Sequence, residues 1–387
     1  MSELLHGRWQ ETKEALLEGL QGTKRSVMST TLENTRKYLS ESASTGSTSA
    51  GNVATLNRVI LPVIRRVMPT VIANELVGVQ PMTGPVGQIH TLRVRYSDTL
   101  SGSFGATAGE EALSPFKIAE GYSGATTGKP AATSALEGVA GNKLSIQILK
   151  QTVEAKTRKL SARWTFEAAQ DAQAQQGIDI EAEIMAALAQ EITAEIDQEI
   201  ISSLTTLAGS QNLQAYDQAA VSGTATFVGD EHAALAVMIN RVANTIAQRT
   251  RRGAGNFAVV SPTALTILQS ATTSAFARTT EGTFEAPTNT KFVGTLNGAM
   301  KIYVNTYAQN DTILVGYKGT AESDAAAFYC PYIPLMSSGV VLDPTTFEPV
   351  VSFMTRYGYV ELSNTASSLG NAADYLGTVT IANAVFS

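Results

Sequence analysis

Residues 178–208 read IDIEAEIMAALAQEITAEIDQEIISSLTTLA, and in this stretch isoleucine or leucine recurs every four residues. Such spacing, set among many Ala and Glu residues, predicts one long α-helix. At about 1.5 Å per residue, the helix is expected to form a rod on the order of 45 Å long. We expect the rest of the chain to be organised around it. The recurring apolar positions are Ile180, Ile184, Leu188, Ile192, Ile196, Ile200 and Leu204.

The same helix carries acidic residues throughout and has neither Lys nor Arg. A step of four residues overshoots one helical turn by about 40°, so the apolar stripe winds round the rod. Glu191, Glu195 and Glu199 therefore come to occupy the direction that Ile180 and Ile184 occupy earlier. The two ends of the helix must pack against different partners. The acidic face either is solvated or meets basic groups on other segments or other copies of the chain.

Composition bounds the class of protein. The chain has 387 residues, of which 44% are hydrophobic, enough for two or three domains with sizeable cores. Its net charge of −6 argues against non-specific nucleic-acid binding through bulk charge. Cys330 is the only cysteine, so no disulfide forms within the chain, which fits synthesis in a reducing cytoplasm. No apolar run reaches the roughly 18 residues of a membrane span.

The N-terminal part has the pattern of an arm. Residues 3–20 are amphipathic, with Leu5 and Trp9 on their apolar face, and residues 41–52 form a polar linker. An arm tied on by such a linker packs on something else. That partner is either the body of the same chain or a neighbouring copy, and Leu5 and Trp9 are candidate contacts.

An extended hairpin is expected before the long helix. Residues 89–96 alternate as a strand, residues 97–142 are rich in Gly, Ala, Ser and Thr, and residues 150–167 alternate again as the returning strand. The middle part has few large apolar groups and is not expected to form a compact unit.

The returning strand is also the most basic stretch of the chain, and it directly precedes the acidic helix. We therefore expect the two segments to offset each other's charge, within or between subunits. The candidate pairs join one set of cations to one set of acids: Lys156, Arg158 and Lys159 with Glu191, Glu195 and Glu199.

Catalytic signals are poor. His6, His90 and His232 are scattered and form no metal-ligand pair of the H-x-x-x-H type. Residues 124–129, GATTGK, depart from the phosphate-binding G-x-x-x-x-G-K pattern, and Pro130 follows where that motif needs Ser or Thr. We expect no catalytic residue, no cofactor and no metal, and hence no enzyme.

One block is specific to a family. Residues 64–96, IRRVMPTVIANELVGVQPMTGPVGQIHTLRVRY, resemble the signature of major capsid proteins of T-even-type contractile-tailed bacteriophages. The resemblance continues in order at VEAKTRKLSARWTFEAAQD (153–171), RRGAGNFAVVS (251–261), YVNTYAQNDTILVGYKG (303–319) and FEPVVSFMTRYG (347–358). It covers the chain from about residue 55 to the C-terminus.

This resemblance implies the α+β, HK97-like fold of tailed-phage capsid subunits. It also implies hexamers and pentamers that tile a head around double-stranded DNA, without sequence-specific binding and without a membrane. Portal, vertex or decoration proteins of the virion are implied partners. The expected parts are an N-terminal arm at 1–58, a peripheral domain at 59–87, 161–209 and 346–387 with spine helix 178–208, an extended loop (E-loop) at 88–160, and an axial domain at 210–345.

Two alternatives come from other classes. An encapsulin-type nanocompartment shell has the same fold but encloses an enzyme cargo, and copurified DNA or cargo protein distinguishes the two. An enzyme needs a convergent polar pocket that the sequence does not show. Leu16-Leu17-Glu18 fits the pattern after which prohead proteases of this family cut, yet we expect the arm to be kept.

Overall fold

The computed structural model describes most of the chain. Leu5 and His6 lie outside the described part, as does the expected linker beyond residue 45. The described residues are 9, 13–14, 16–17, 20, 22–45, 72–101, 105–110, 112, 119–125, 128–176, 179–209, 213–221, 228–250, 252–271, 276–278, 290–308, 310–320, 324–346, 348–362 and 372–383.

The described helices include one that matches the prediction for the spine helix. Asp179 caps its N-terminus by accepting the Glu181 N–H at 3.1 Å, and Gly209 ends it with a φ of 47°, a conformation that favours glycine. The α-helices are α1 Gly22–Thr45, α2 Ala73–Leu76, α3 Thr133–Leu136, α4 Phe166–Gln176, α5 Ile180–Ala208 (the spine helix), α6 Gln218–Val221, α7 Val228–Thr250 and α8 Pro262–Ser270, and a 3-10 turn spans Ala372–Tyr375.

The strands of the described residues form three sheets, and together with the helices they make an α+β fold, as expected. The strands are β1 Gly78–Val79, β2 Val86–Tyr96, β3 Leu144–Glu154, β4 Lys156–Arg163, β5 Leu213–Asp217, β6 Phe257–Val260, β7 Phe276–Arg278, β8 Thr290–Leu296, β9 Met300–Asn305, β10 Thr312–Gly316, β11 Ala327–Ser337, β12 Val341–Leu342, β13 Pro349–Glu361 and β14 Leu376–Ala382.

The three sheets divide the strands by position in the fold. A five-stranded sheet has the order β1-β11-β13-β12, with β4 also paired to β13. A seven-stranded sheet has the order β5-β14-β10-β6-β9-β8-β7. The pair β2-β3 forms a separate two-stranded hairpin. The pairs β1-β11, β5-β14 and β6-β9 are parallel, and the other pairs are antiparallel.

The spine helix lies between the two large sheets. From Leu188 onward, most of its apolar side chains are buried in one core with the five-stranded sheet and one face of the seven-stranded sheet, whereas the first turns stay largely exposed. A reciprocal amide pair between Gln198 and Asn305, at 2.8 and 3.1 Å, joins the helix to β9. The opposite face of the seven-stranded sheet packs on α7 and α8 in a second core. The two ends of the helix thus have different surroundings, as the winding stripe predicted.

Three expectations are wrong in detail. The hairpin's return strand is β3, at 144–154, whereas β4 continues into the five-stranded sheet beside β13. Strand β11 falls within residues 210–345, which were expected to form the axial domain, but it lies in the five-stranded sheet. Strand β14 follows residue 346, where the peripheral domain was expected, but it lies in the seven-stranded sheet. The reason is that neighbours along the chain need not pair, and alternation alone does not reveal which sheet a strand joins.

The segment between the hairpin strands also buries more than its composition suggested. The rings of Tyr96 and Tyr122 pack at a tilt of 55° with centroids 4.5 Å apart, and Ala106, Ala112 and Ala119 are buried around them. Because two large aromatic rings supply most of the apolar surface, small alanines suffice for the rest. A small satellite core therefore forms where a loose loop was expected.

The arm region contains a helix that sequence analysis missed. Helix α1 includes residues 41–45, which were expected to begin the linker. Met28 and Leu32 are buried in the first core, and the Asn34 amide donates to the carbonyl oxygens of Met82 and Tyr332 at 2.8 and 2.9 Å. Most residues of α1 are polar, so its sequence shows no clear apolar stripe. The helix is stabilised mainly by tertiary packing of its few buried side chains.

Candidate subunit-contact surfaces

One arginine joins the basic strand to the acidic helix. The Arg158 guanidinium on β4 donates to Glu195 at 2.7 Å, to Glu199 at 2.6 Å and, through Nε, to the Tyr357 hydroxyl at 2.6 Å. The Tyr357 hydroxyl in turn donates to Glu199. We call these four residues the Arg158 cluster. It fixes the spine helix to two adjacent strands of the five-stranded sheet.

Electrostatics favours the charged form of this arginine. Burial alone lowers the pKa of Arg158, but its hydrogen bonds to Glu199 and Tyr357 outweigh burial and raise that pKa above its ordinary value. Burial and the neighbouring Glu199 carboxylate raise the pKa of Tyr357, so its hydroxyl remains a donor. A planar guanidinium suits this role because it directs several N–H groups at fixed angles.

The remaining predicted charge contacts are not brought together. Lys156, Lys159 and Glu191 are exposed, and within the described part of the chain they take part in no ion pair. Of the six predicted residues, the structure therefore joins only Arg158, Glu195 and Glu199, inside one chain. Alternation explains the position of Lys159, which lies on the opposite face of β4 from Arg158.

Trp9 packs on its own chain. Its indole N–H donates to Glu33 at 3.5 Å, and the Arg36 guanidinium lies 5.9 Å from the ring centroid. Lys13 pairs with the same Glu33 at 3.1 Å, and Leu17 is buried in the first core. Within this chain, the described residues before α1 therefore pack on α1 and on the first core.

The distal hairpin, residues 132–148, is a surface that sequence analysis did not single out. Every one of these residues is exposed. Leu144, Ile146 and Ile148 are 54%, 69% and 67% exposed, and alternation places them on one face of β3. The alternation in LSIQI, residues 144–148, is a signal that could have revealed this apolar strip.

A second open surface lies on the five-stranded sheet, on the face away from the spine helix. At one end the base of the hairpin covers it, since Val153 and Met82 pack with Phe328 and Cys330. Gly358 permits this close approach, because a Cβ there would lie 2.4 Å from Val153 Cγ1. The other end, called here the open sheet face, carries half-buried or exposed residues in register: Lys159 beside Met354, Arg163 beside Val350, and Val341 beside Val350.

The cysteine and the two described histidines, considered as possible catalytic or metal-binding residues, lie in the hydrophobic core or in regular secondary structure. Cys330 is buried, and burial raises the pKa of its thiol to about 11, so it is a poor nucleophile. His232 is buried with Nδ1 2.6 Å from the Ser270 hydroxyl, and His90 lies on β2 of the hairpin. Across the described residues, no three His, Cys, Asp or Glu side chains cluster as a metal site, and no helix is long and apolar enough to cross a membrane.

Comparison with known proteins places the chain in a family. Residues 53–381 match the family described as major capsid protein Gp23. The major capsid protein of Vibrio phage KVP40 is 31% identical over 413 residues, covering 84% of this chain and 80% of the relative. That of Enterobacteria phage T4 is 28% identical over 411 residues, covering 83% and 78%.

Solved structures are more distant. A chain from Mycobacterium phage Cain has a TM-score of 0.49 at 12% identity, covering 82% of this chain and 91% of that one. The family match extends over every block on which the resemblance rested, from the segment before β1 to β14. The chain therefore belongs to the Gp23 family of major capsid proteins.

Proposed function

We propose that copies of this chain close into hexamers and pentamers that tile a phage head around packaged double-stranded DNA. As a major capsid protein, the chain is located in the capsid of the virion. Its function is association, and contacts that repeat round a symmetry axis close into rings. Family membership favours a phage head over an encapsulin-type compartment.

The observation that carries this proposal is the exposed apolar strip of the distal hairpin. A two-stranded hairpin is only marginally stable alone, and three large aliphatic side chains in water are unfavourable. Burying them against a neighbour removes that apolar area from water, at about 25 cal/mol per Å². The hairpin thus supports a shell in which each subunit is completed by the next.

We propose that the open sheet face is the surface to which the hairpin of a neighbouring subunit binds. It continues the surface that the subunit's own hairpin base covers, and it offers Val341 and Met354 as apolar contacts. Lys159 at its rim is an exposed cation that can meet an acid of another copy, whereas Arg163 lies 3.7 Å from Glu348 of its own chain. In this arrangement, Lys159 keeps a role between subunits that it does not have within one chain.

Acidic composition suits a container for DNA. With a net charge of −6, the chain is not expected to hold packaged DNA through bulk charge, so the genome remains free to leave. Portal, vertex or decoration proteins complete the proposed virion, as the resemblance implied. Particles purified under physiological salt should therefore contain DNA without any preferred sequence at the wall.

Charge on the apolar strip tests the role of the hairpin. The double variant Ile146→Asp, Ile148→Asp should fold as a subunit but fail to form shells, because burying two carboxylates in a subunit contact is unfavourable. Electron microscopy and analytical ultracentrifugation measure closed particles against free subunits. Normal shell yield from this variant would contradict the proposal.

The matched control is Ser145→Asp, Gln147→Asp. It places the same two charges on the same strand, but on the opposite face of the hairpin. We expect this control to assemble nearly as well as the parent chain. Equal failure of both variants, with folded subunits, would show that the apolar strip has no special part in assembly.

A further inference from the structure

Residues 72–79, the linking segment, connect the first helix to both sheets. The Glu75 carboxylate accepts hydrogen bonds from Lys24 of α1 at 3.0 Å and from the Tyr303 hydroxyl of β9 at 3.4 Å. It also lies 3.5 Å from the Lys301 ammonium. The Lys318 ammonium donates to the Asn74 carbonyl at 2.7 Å. Strand β1, the end of this segment, pairs with β11. Movement of the linking segment would thus change how α1 packs on the first core.

The spine helix holds this segment through one buried acid. Asp197 is fully buried, and its Oδ1 accepts the backbone N–H of Ile72 at 2.9 Å. Ile72 is the residue immediately before α2, so the bond fixes the start of the segment. The second oxygen, Oδ2, is also buried and has no hydrogen-bond partner among the described residues.

We propose that Asp197 is a proton-dependent catch: when neutral it holds the linking segment on the spine helix, and when ionised it favours release of that segment. A buried carboxylate with a single N–H donor and no cation is unfavourable, whereas a neutral carboxyl group tolerates burial. Opening the segment exposes Asp197 to water, where the charged form is stable. Ionisation and opening therefore favour each other.

The surroundings of Asp197 agree with this assignment. Burial raises the pKa of Asp197 to about 7, and the Ile72 N–H opposes that rise only in part. No described cation forms an ion pair with it: Lys24 and Lys301 pair with Glu75, Arg158 pairs with Glu195 and Glu199, and Lys318 donates to the Asn74 carbonyl. The charged and titratable groups on the elements packed here are Tyr329 on β11, Tyr357 on β13, Glu199 on the spine helix with Arg158 on β4, Tyr303 and Lys301 on β9, Lys318 after β10, and Glu75 with Lys24 on the segment and α1.

Hydrogen exchange of the full-length chain, followed by mass spectrometry, tests the catch. After correction for the intrinsic pH dependence of exchange, the opening equilibrium constant of residues 72–79 should be roughly tenfold larger at pH 8 than at pH 6. Peptides from α8, which packs in the other core, serve as the internal reference and should not change. Protection of residues 72–79 that is the same at both pH values, or that changes in step with α8, would overturn the proposal.

Two variants sharpen the test. Asp197→Asn keeps the acceptor for Ile72 but cannot ionise, so its opening should be independent of pH over this range. Glu191→Gln removes the same charge from an exposed position on the same helix and should keep the pH dependence of the parent chain. If Asp197→Asn retains that dependence, Asp197 is not the catch. If this variant fails to fold, the parent chain with its α8 reference still decides the question. The catch lies within one subunit, so the result stands whether or not shells form.

Discussion

At the residue scale, Arg158 shows how one side chain can connect three elements. It was predicted to meet the acidic helix because a basic strand precedes an acidic helix in sequence. The structure pairs it with Glu195 and Glu199 and adds Tyr357, which no charge pattern could reveal. Tyr357 is remote in sequence and approaches only because β13 lies beside β4.

Replacing this arginine tests the cluster. Arg158→Ala leaves Glu199 and Tyr357 without their shared donor, and we expect a loss of about 1–2 kcal/mol in the free energy of unfolding, reduced by partial exposure to solvent. Urea unfolding of dispersed subunits measures it. Lys159→Ala, one position along the same strand, should change this free energy by less than about 0.5 kcal/mol. Equal effects of the two variants would refute the cluster's role.

Glu75 gives a pH dependence of the opposite sign to that of Asp197. Burial would raise the pKa of Glu75, but the hydrogen bond from Lys24 and the charges of Lys24 and Lys301 lower it below its ordinary value. A lowered pKa in the folded state means that the charged form stabilises the fold. That stabilisation is present above the unfolded pKa of about 4.3 and is lost as the pH falls through the folded value.

The variant Glu75→Gln checks this sign. At neutral pH it should lower the free energy of unfolding by about 0.5–2 kcal/mol, because the ion pairs with Lys24 and Lys301 are lost. As the pH falls through the lowered folded pKa of Glu75, the parent chain loses the same contribution, so the two proteins should converge in acid. Denaturant titrations at neutral and acidic pH provide the comparison, and a constant difference across both would contradict it.

At the element scale, the predictable parts are those with strong periodicity. The spine helix, strands β2, β6, β9, β10 and β13, and helices α7 and α8 follow apolar patterns that local physics fixes. Helix α1 escaped notice because its pattern is mostly polar. The open sheet face escaped notice because it exists only when β4, β12 and β13 come together.

The spine helix itself offers a matched pair of substitutions. Leu204 is completely buried in the first core, whereas Ile180 lies in the exposed first turn. Leu204→Ala should cost about 2–5 kcal/mol of unfolding free energy, and Ile180→Ala less than about 1 kcal/mol. Thermal or urea unfolding of dispersed subunits measures both. Similar losses would mean that the two ends of the helix are packed alike, contrary to the structure.

At the scale of the whole molecule, topology limited prediction. Strands β11 and β14 each join the sheet opposite to the one expected from chain order, so the boundary at residue 346 does not separate the sheets. Chain order reports neighbours in sequence, whereas sheet membership depends on long-range pairing. Compositional reasoning nevertheless identified the protruding hairpin, and only side-chain exposure showed which of its faces is apolar.

The central claim is that a subunit with an exposed apolar hairpin reaches a stable state only among its copies. Electron microscopy of the purified full-length chain tests it most directly. The account predicts closed shells built from sixfold and fivefold rings, with residues 132–148 of each subunit in contact with a neighbour. A uniform population of single molecules that forms neither rings nor shells, with that hairpin left in solvent, would contradict it.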